Sequence, residues 1–259
     1  MTAALTLFRG TGQRTQFEQA VNDFSSKMQN TIKAISNEQF PQTDQYTCAA
    51  GPQLTAGGTQ GQSTNQDCVY LGKIFHVAKD QNFLKIYTVI GNRKCDNHLP
   101  STCPNGQIAT SFIDTDPKVA NLALAGGDLN NGVLTETYTL PSGGTKLVWA
   151  NANCSNSDGT CAEVDVTGFY NGIGTSSAGA AQGGALNLLT RAYALNGSGL
   201  TPVALATCLT NDTVVGVCAS DLKNWQLCFS DSNSQNLRAL VTLTVTSNSS
   251  SSIVKLKGC

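Results

Sequence analysis

The stretch "RTQFEQAVNDFSSKMQNTIKAISNEQFP", residues 14–41, sets the strongest constraint on the fold. Phe17, Val21, Phe24, Met28, Ile32 and Ile35 follow one another at spacings of four, three, four, four and three. That is a single apolar stripe at helical period, and such a stripe needs a surface to cover it. Polar residues such as Gln16, Glu18, Asp23, Lys27 and Lys33 lie off it, and Pro41 marks a stop, because the residue before a proline avoids the helical region. The spacing predicts a helix from about 13 to 38, roughly 39 Å long at 1.5 Å per residue. Upstream, "TAALTLFRG" carries Leu5, Leu7 and Phe8, and reads as the last turns of a more apolar helix.

From residue 68 the period changes. "CVYLGKIFHVA" and "FLKIYTVIGNR" are rich in β-branched and aromatic residues, and the "KDQN" between them reads as a hairpin turn. "VLTETYTL", "PSGG" and "TKLVWA" read in the same way as a second hairpin. Further strands are predicted in "CAEVDVTGFY", "ALNLLTRAYAL", "WQLCFS", "LRALVTLTV" and "SIVKLKGC", with long polar loops at 42–67, 96–110, 151–160, 171–183 and 231–236. The expected fold class is α+β: a long N-terminal amphipathic helix (1–41) packed on an antiparallel β-sheet, within a β-rich head (42–259) held by disulfide-bonded loops.

Ten cysteines fix the chemical setting: Cys48, Cys68, Cys95, Cys103, Cys154, Cys161, Cys208, Cys218, Cys228 and Cys259. The number is even, no C-x-x-C occurs, and His76 and His98 are the only histidines, so a zinc site has no ligand pattern to stand on. Disulfides are the plainer reading, and they imply an oxidising, extracytoplasmic compartment. Short loops favour Cys95–Cys103, Cys154–Cys161 and Cys48–Cys68. Cys218 is flanked by two gaps of nine residues each, towards Cys208 and Cys228. Choosing Cys208–Cys218 leaves Cys228 for Cys259. Charged residues make up only 13% of the chain and the formal net charge is −1, so no basic face is available for nucleic acid.

No catalytic constellation emerges. There is no G-x-S-x-G, and "GIGTSSAGAAQGG" lacks P-loop spacing. A Ser-His-Asp site would need His76, inside a strand, or His98, in a cysteine-bounded loop. Asp114 with Asp116, and Glu163 with Asp165, have the i, i+2 spacing of paired carboxylates, but Asp-x-Asp is common in turns. Asp114, Asp116 and Asp128 offer oxygen ligands for calcium without the EF-hand spacing, and turn-forming residues explain them as well. Asn196 and Asn211 head glycosylation-type triplets, which arise by chance in so Asn-, Ser- and Thr-rich a chain.

Taken in order, these segments resemble a type IV pilin. "RTQFEQAVNDFSSKMQNTIKAISNEQFP" is similar to the exposed half of a pilin's first helix. "DCVYLGKIFHVA…KIYTVIGNR" and "NWQLCFSDSNSQNLRALVTLTV…VKLKGC" resemble the first strands and the C-terminal region of pilin-like proteins of ultrasmall, surface-attached bacteria. The resemblance covers residues 1–93 and 220–259. It implies an N-terminally truncated minor or tip-proximal pilin, a structural and adhesive subunit exposed on the cell surface. Its partners would be other pilin subunits and a host-cell or surface receptor, with membrane contact only through a missing upstream segment. Phe8, Phe17, Val21, Phe24, Met28, Ile32 and Ile35 would serve helix packing and assembly. Neither enzymatic activity nor a cofactor or metal is implied. A free secreted disulfide-rich binding domain is the alternative, and an extracellular hydrolase comes third.

Overall fold

A computed structural model describes residues 2–36, 46–49, 53–56, 68–77, 79–92, 94–95, 104–109, 112–115, 117–119, 135–141, 144–152, 162–163, 166–172, 187–193, 220–221, 224–246, 249–256 and 259. One α-helix, α1 (Thr2–Ser36), precedes every strand. A small hairpin follows, β1 (Tyr46–Ala49) with β2 (Gln53–Ala56), inside what the sequence reads as one polar loop.

The other strands form two antiparallel sheets. The first is built on β3 (Cys68–Val77) and β4 (Phe83–Asn92). β9 (Val166–Gly172), β10 (Asn187–Tyr193) and β11 (Ser220–Asp221) extend it on the β3 side, and β5 (Lys118–Val119) and β6 (Thr135–Thr139) pair with β4. The second runs β14 (Ser249–Leu256), β13 (Ser234–Thr246), β12 (Asn224–Asp231), β7 (Thr145–Ala152), β8 (Ala162–Glu163). Alternation along β12 and β13 turns Trp225, Leu227, Phe229, Ala239, Val241 and Leu243 to one buried face. That face meets the first sheet at an aromatic cluster: Trp225 lies 6.2 Å from Phe75 and 6.0 Å from Phe169, ring centre to ring centre. Helix α1 adds its stripe to the same core. Phe24 stands 4.9 Å from Phe229 of the second sheet and 6.1 Å from Tyr138 of the first.

This architecture corrects the α+β expectation of a helix lying on one antiparallel sheet. Among the described residues the protein is mostly β-sheet, with two antiparallel sheets facing each other and α1 sharing their core. The cause is local. β6 and β7, expected as a hairpin across "PSGG", do not pair. β6 pairs with β4 in the first sheet and β7 with β12 in the second. Between Thr139 and Thr145 the chain therefore passes from the first sheet to the second, a corner flanked by Leu140, Pro141 and Gly144. The tip of the β3–β4 hairpin holds that corner. Leu140 N–H donates to Asn82 O at 2.8 Å, Leu147 N–H to Gln81 O at 3.0 Å, and Asp80 N–H to Leu147 O at 2.7 Å. Asp80 has φ 61°, a left-handed conformation that Asp tolerates better than most residues. "CAEVDVTGFY" likewise divides between β8 in the second sheet and β9 in the first.

The first sheet is covered on both faces, which explains the near-continuous apolar reading of its strands. Leu71, Ile74, Tyr87 and Val89 are buried outside the shared core, and on the same sheet Tyr170 stacks at 4.9 Å on Phe112. A bulge at Leu71 shifts the β3–β4 register, and beside it Gly72 has φ 154°. A β-carbon there would collide with the Phe169 carbonyl, so only glycine lets β3 and β9 approach this closely.

Candidate functional site

Helix α1 divides sharply along its length. Gly12, Gln13, Arg14, Thr15 and Gln16 are all exposed, whereas Phe17, Val21, Phe24, Met28, Ile32 and Ile35 are each no more than 1% exposed. Five successive exposed positions exceed one turn at about 3.6 residues per turn. The buried stripe therefore begins at Phe17, although the helical backbone continues upstream to Thr2. The Phe8 side chain lies outside the described residues.

Where the helix leaves the head, it borders an open groove of about 500 Å³. Gln13, Gln16, Gln19 and Ala20 form one wall. Pro141 and Gly144, from the corner, and Asp231 and Asn233, from the β12–β13 turn, form the other. The two turns are bound together: Ser232 N–H donates to Gly144 O at 2.7 Å, and Asn233 N–H donates to the buried Asp231 Oδ1 at 2.9 Å. A β-carbon at Gly144 would strike both the Asp231 carboxylate and the Asn233 amide. The sequence alone does not mark this site, because its residues are ordinary turn and surface types. The loop it expects at 231–236 is instead a tight turn between β12 and β13.

One charge cluster ties helix to sheet. Glu136 on β6 accepts from Lys27 Nζ at 2.5 Å and lies 3.9 Å from Lys73 Nζ on β3. Burial lowers the Lys73 pKa, the Glu136 carboxylate opposes that shift, and Lys27 adds to it.

At the far end of the chain, Cys228 and Cys259 form a disulfide with Cα atoms 5.9 Å apart. Cys228 lies on the face of β12 opposite Trp225, Leu227 and Phe229, so the bond clasps Cys259 over the outside of the second sheet. Arg238 donates to Cys259 O at 2.7 Å beside it. Cys95 is also disulfide-bonded. The side chains of Cys48 and Cys68, and the residues Cys103, Cys154, Cys161, Cys208 and Cys218, lie outside the described residues.

Of the residues considered for chemistry, the described ones, His76 and Asp114, are not brought together. His76 lies on β3 opposite Lys85 and Val166, and Asp114 sits in a 3-10 turn. His98, Asp116, Asp128, Asp165, Asn196 and Asn211, and the Glu163 side chain, lie outside the described residues. Among the described residues no group of three His, Cys, Asp or Glu side chains could hold a metal ion, and no helix is long and apolar enough to cross a membrane. The groove holds amides and one carboxylate, an arrangement suited to hydrogen bonding. Comparison with protein-family models, with curated proteins and with solved structures gives no match. The pilin resemblance rests on the residues of this chain alone.

Proposed function

We propose that this protein is an extracytoplasmic structural subunit of a surface filament of the type IV pilus kind, with α1 as its joining element and the two-sheet head facing outward. The observation that carries this reading is the change along α1 from exposed at 12–16 to buried from Phe17 onward. An isolated helical stretch in water is marginal, because most helical stability comes from packing an apolar face. The helical backbone continues upstream to Thr2, through a sequence that includes Leu5, Leu7 and Phe8, and on this reading copies of the same helix would pack there. Disulfide bonding at Cys95, Cys228 and Cys259 supports the oxidising setting.

The test is to shear surface filaments from the producing cells and compare the wild type with a Leu5→Asp/Phe8→Asp variant. The wild type is expected in the filament fraction. The variant is expected to keep the circular dichroism and melting temperature of the head but to leave that fraction. A wild-type chain found only as free monomer in the medium would overturn the filament reading in favour of a secreted binding domain, the second reading that the groove favours.

A further inference from the structure

We propose that the core between the two sheets binds one water molecule, which links Thr167 of the first sheet to Trp225 of the second. The inference is independent of filament assembly and starts from two atoms that burial has cut off from solvent. Thr167 and Trp225 are both 0% exposed, and neither Thr167 Oγ1 nor Trp225 Nε1 has a hydrogen-bond partner among the described residues. A buried donor or acceptor left unpaired forfeits its hydration, so nearly all such groups in folded proteins are paired, with protein or with ordered water.

Strand register brings the two side chains to one place. Thr167 on β9 stands directly opposite Phe75 on β3, and cross-strand partners share a face. Phe169, two residues further along β9, shares it as well. Phe75 and Phe169 meet edge to face at 5.5 Å, and Trp225 from the other sheet lies 6.2 Å and 6.0 Å from them. Thr167 therefore borders the same two rings that Trp225 packs against. Gly168 and Tyr170 take the opposite face, where a β-carbon at Gly168 would strike the Tyr170 hydroxyl.

The chemistry of the pair selects the ligand. An indole N–H only donates, whereas a hydroxyl donates and accepts. A molecule between them must accept from Trp225 Nε1–H and then donate to, or accept from, Thr167 Oγ1. Water does both and is small enough for a close-packed interior. A cation would be repelled by the indole N–H, and an anion would bring an uncompensated charge among aromatic rings. Buried waters make about two to four hydrogen bonds, and these two groups supply the minimum. A directional bridge of this kind fixes how β9 sits over β12, which apolar contacts alone specify less sharply.

The experiment uses the purified, oxidised full chain labelled with nitrogen-15. Water-selective Overhauser spectra should show a long-lived water at the Trp225 indole proton. That signal is assigned by its loss in Trp225→Phe, since Trp149 is the only other tryptophan. Thr167→Val keeps the shape of the side chain and removes its hydroxyl. It should lose the water signal at the indole proton and hold one long-lived water fewer by oxygen-17 relaxation dispersion. Thr167→Ser keeps the hydroxyl and should retain both. The inference is overturned if the folded wild type shows no long-lived water at the indole proton, whether because that proton rests on a ring face or because it bonds Thr167 directly. It is equally overturned if Thr167→Val holds as many long-lived waters as the wild type. Should Thr167→Val fail to fold, the wild-type spectrum alone still decides.

Discussion

Phe24 touches an aromatic ring of each sheet, Phe229 and Tyr138, and is 1% exposed. Phe24→Ala should therefore cost about 3–5 kcal/mol, read by urea unfolding of the oxidised protein, because a cavity opens where three elements meet. Glu136 is a different kind of residue. It is partly exposed, as is its partner Lys27, so that pair contributes only about 0.2–1 kcal/mol. Glu136→Gln should destabilise by about that amount at low salt, and the loss should shrink at high salt. A loss of several kcal/mol that ignores salt would show that the cluster is a buried structural network instead. The six stripe residues of α1 are legible from their spacing alone, since period 3.6 belongs to the residues themselves. Gln13, Gln16, Gln19, Asp231 and Asn233 are not. Nothing in their identity marks them, and only the meeting of a helix with two turns from distant sequence makes them a site.

At the scale of elements, the segment 140–144 shows why the sheets were illegible. A strand, a Pro-Gly-rich turn and another strand spell a hairpin and a sheet-to-sheet corner equally well. What decides is hydrogen bonding to β4 and β12, which no local pattern records. The β12–β13–β14 unit is easier to read, because β12 and β13 alternate apolar with polar residues and each strand follows the last across a short connection. Its clasp spans a sequence separation of 31, for which the chain-entropy relation gives roughly 3–4 kcal/mol. Cys259→Ser should leave α1 and the β3–β4 hairpin intact while hydrogen exchange quickens in β14 and the outer part of β13. Equal protection of those strands in both proteins would deny the clasp a structural role.

For the whole molecule, tyrosines shielded on the first sheet set the response to alkali. Burial raises the pKa of Tyr70, Tyr87 and Tyr138 above the ordinary 10.0, with the nearby Asp23 charge adding to the effect at Tyr138. A raised acid contributes stability that is fully present below pH 10 and is lost as pH climbs towards the folded values. Lys73 acts in the opposite sense. Its lowered pKa means that the unfolded chain holds more protons below 10.5, so this one group favours folding as pH rises through that window. Three tyrosines outweigh one lysine, and the protein should lose stability above pH 10. Tyrosinate absorbance should then appear together with unfolding; its appearance in a still-folded protein would contradict the burial of these rings.

The proposed filament role divides α1: Phe17–Ile35 packs into the two-sheet core, and the stretch upstream would meet a partner. Hydrogen exchange of the oxidised monomer, followed amide by amide along the helix, tests it most directly. Amides of Phe17–Ile35 should exchange as slowly as those of β12 and β13, and those from Leu5 to Gln16 orders of magnitude faster, with protection gained there on assembly if the proposed filament forms. Uniform slow exchange from Leu5 to Ile35 in the monomer would contradict the account, because the helix would then be fully satisfied within its own head.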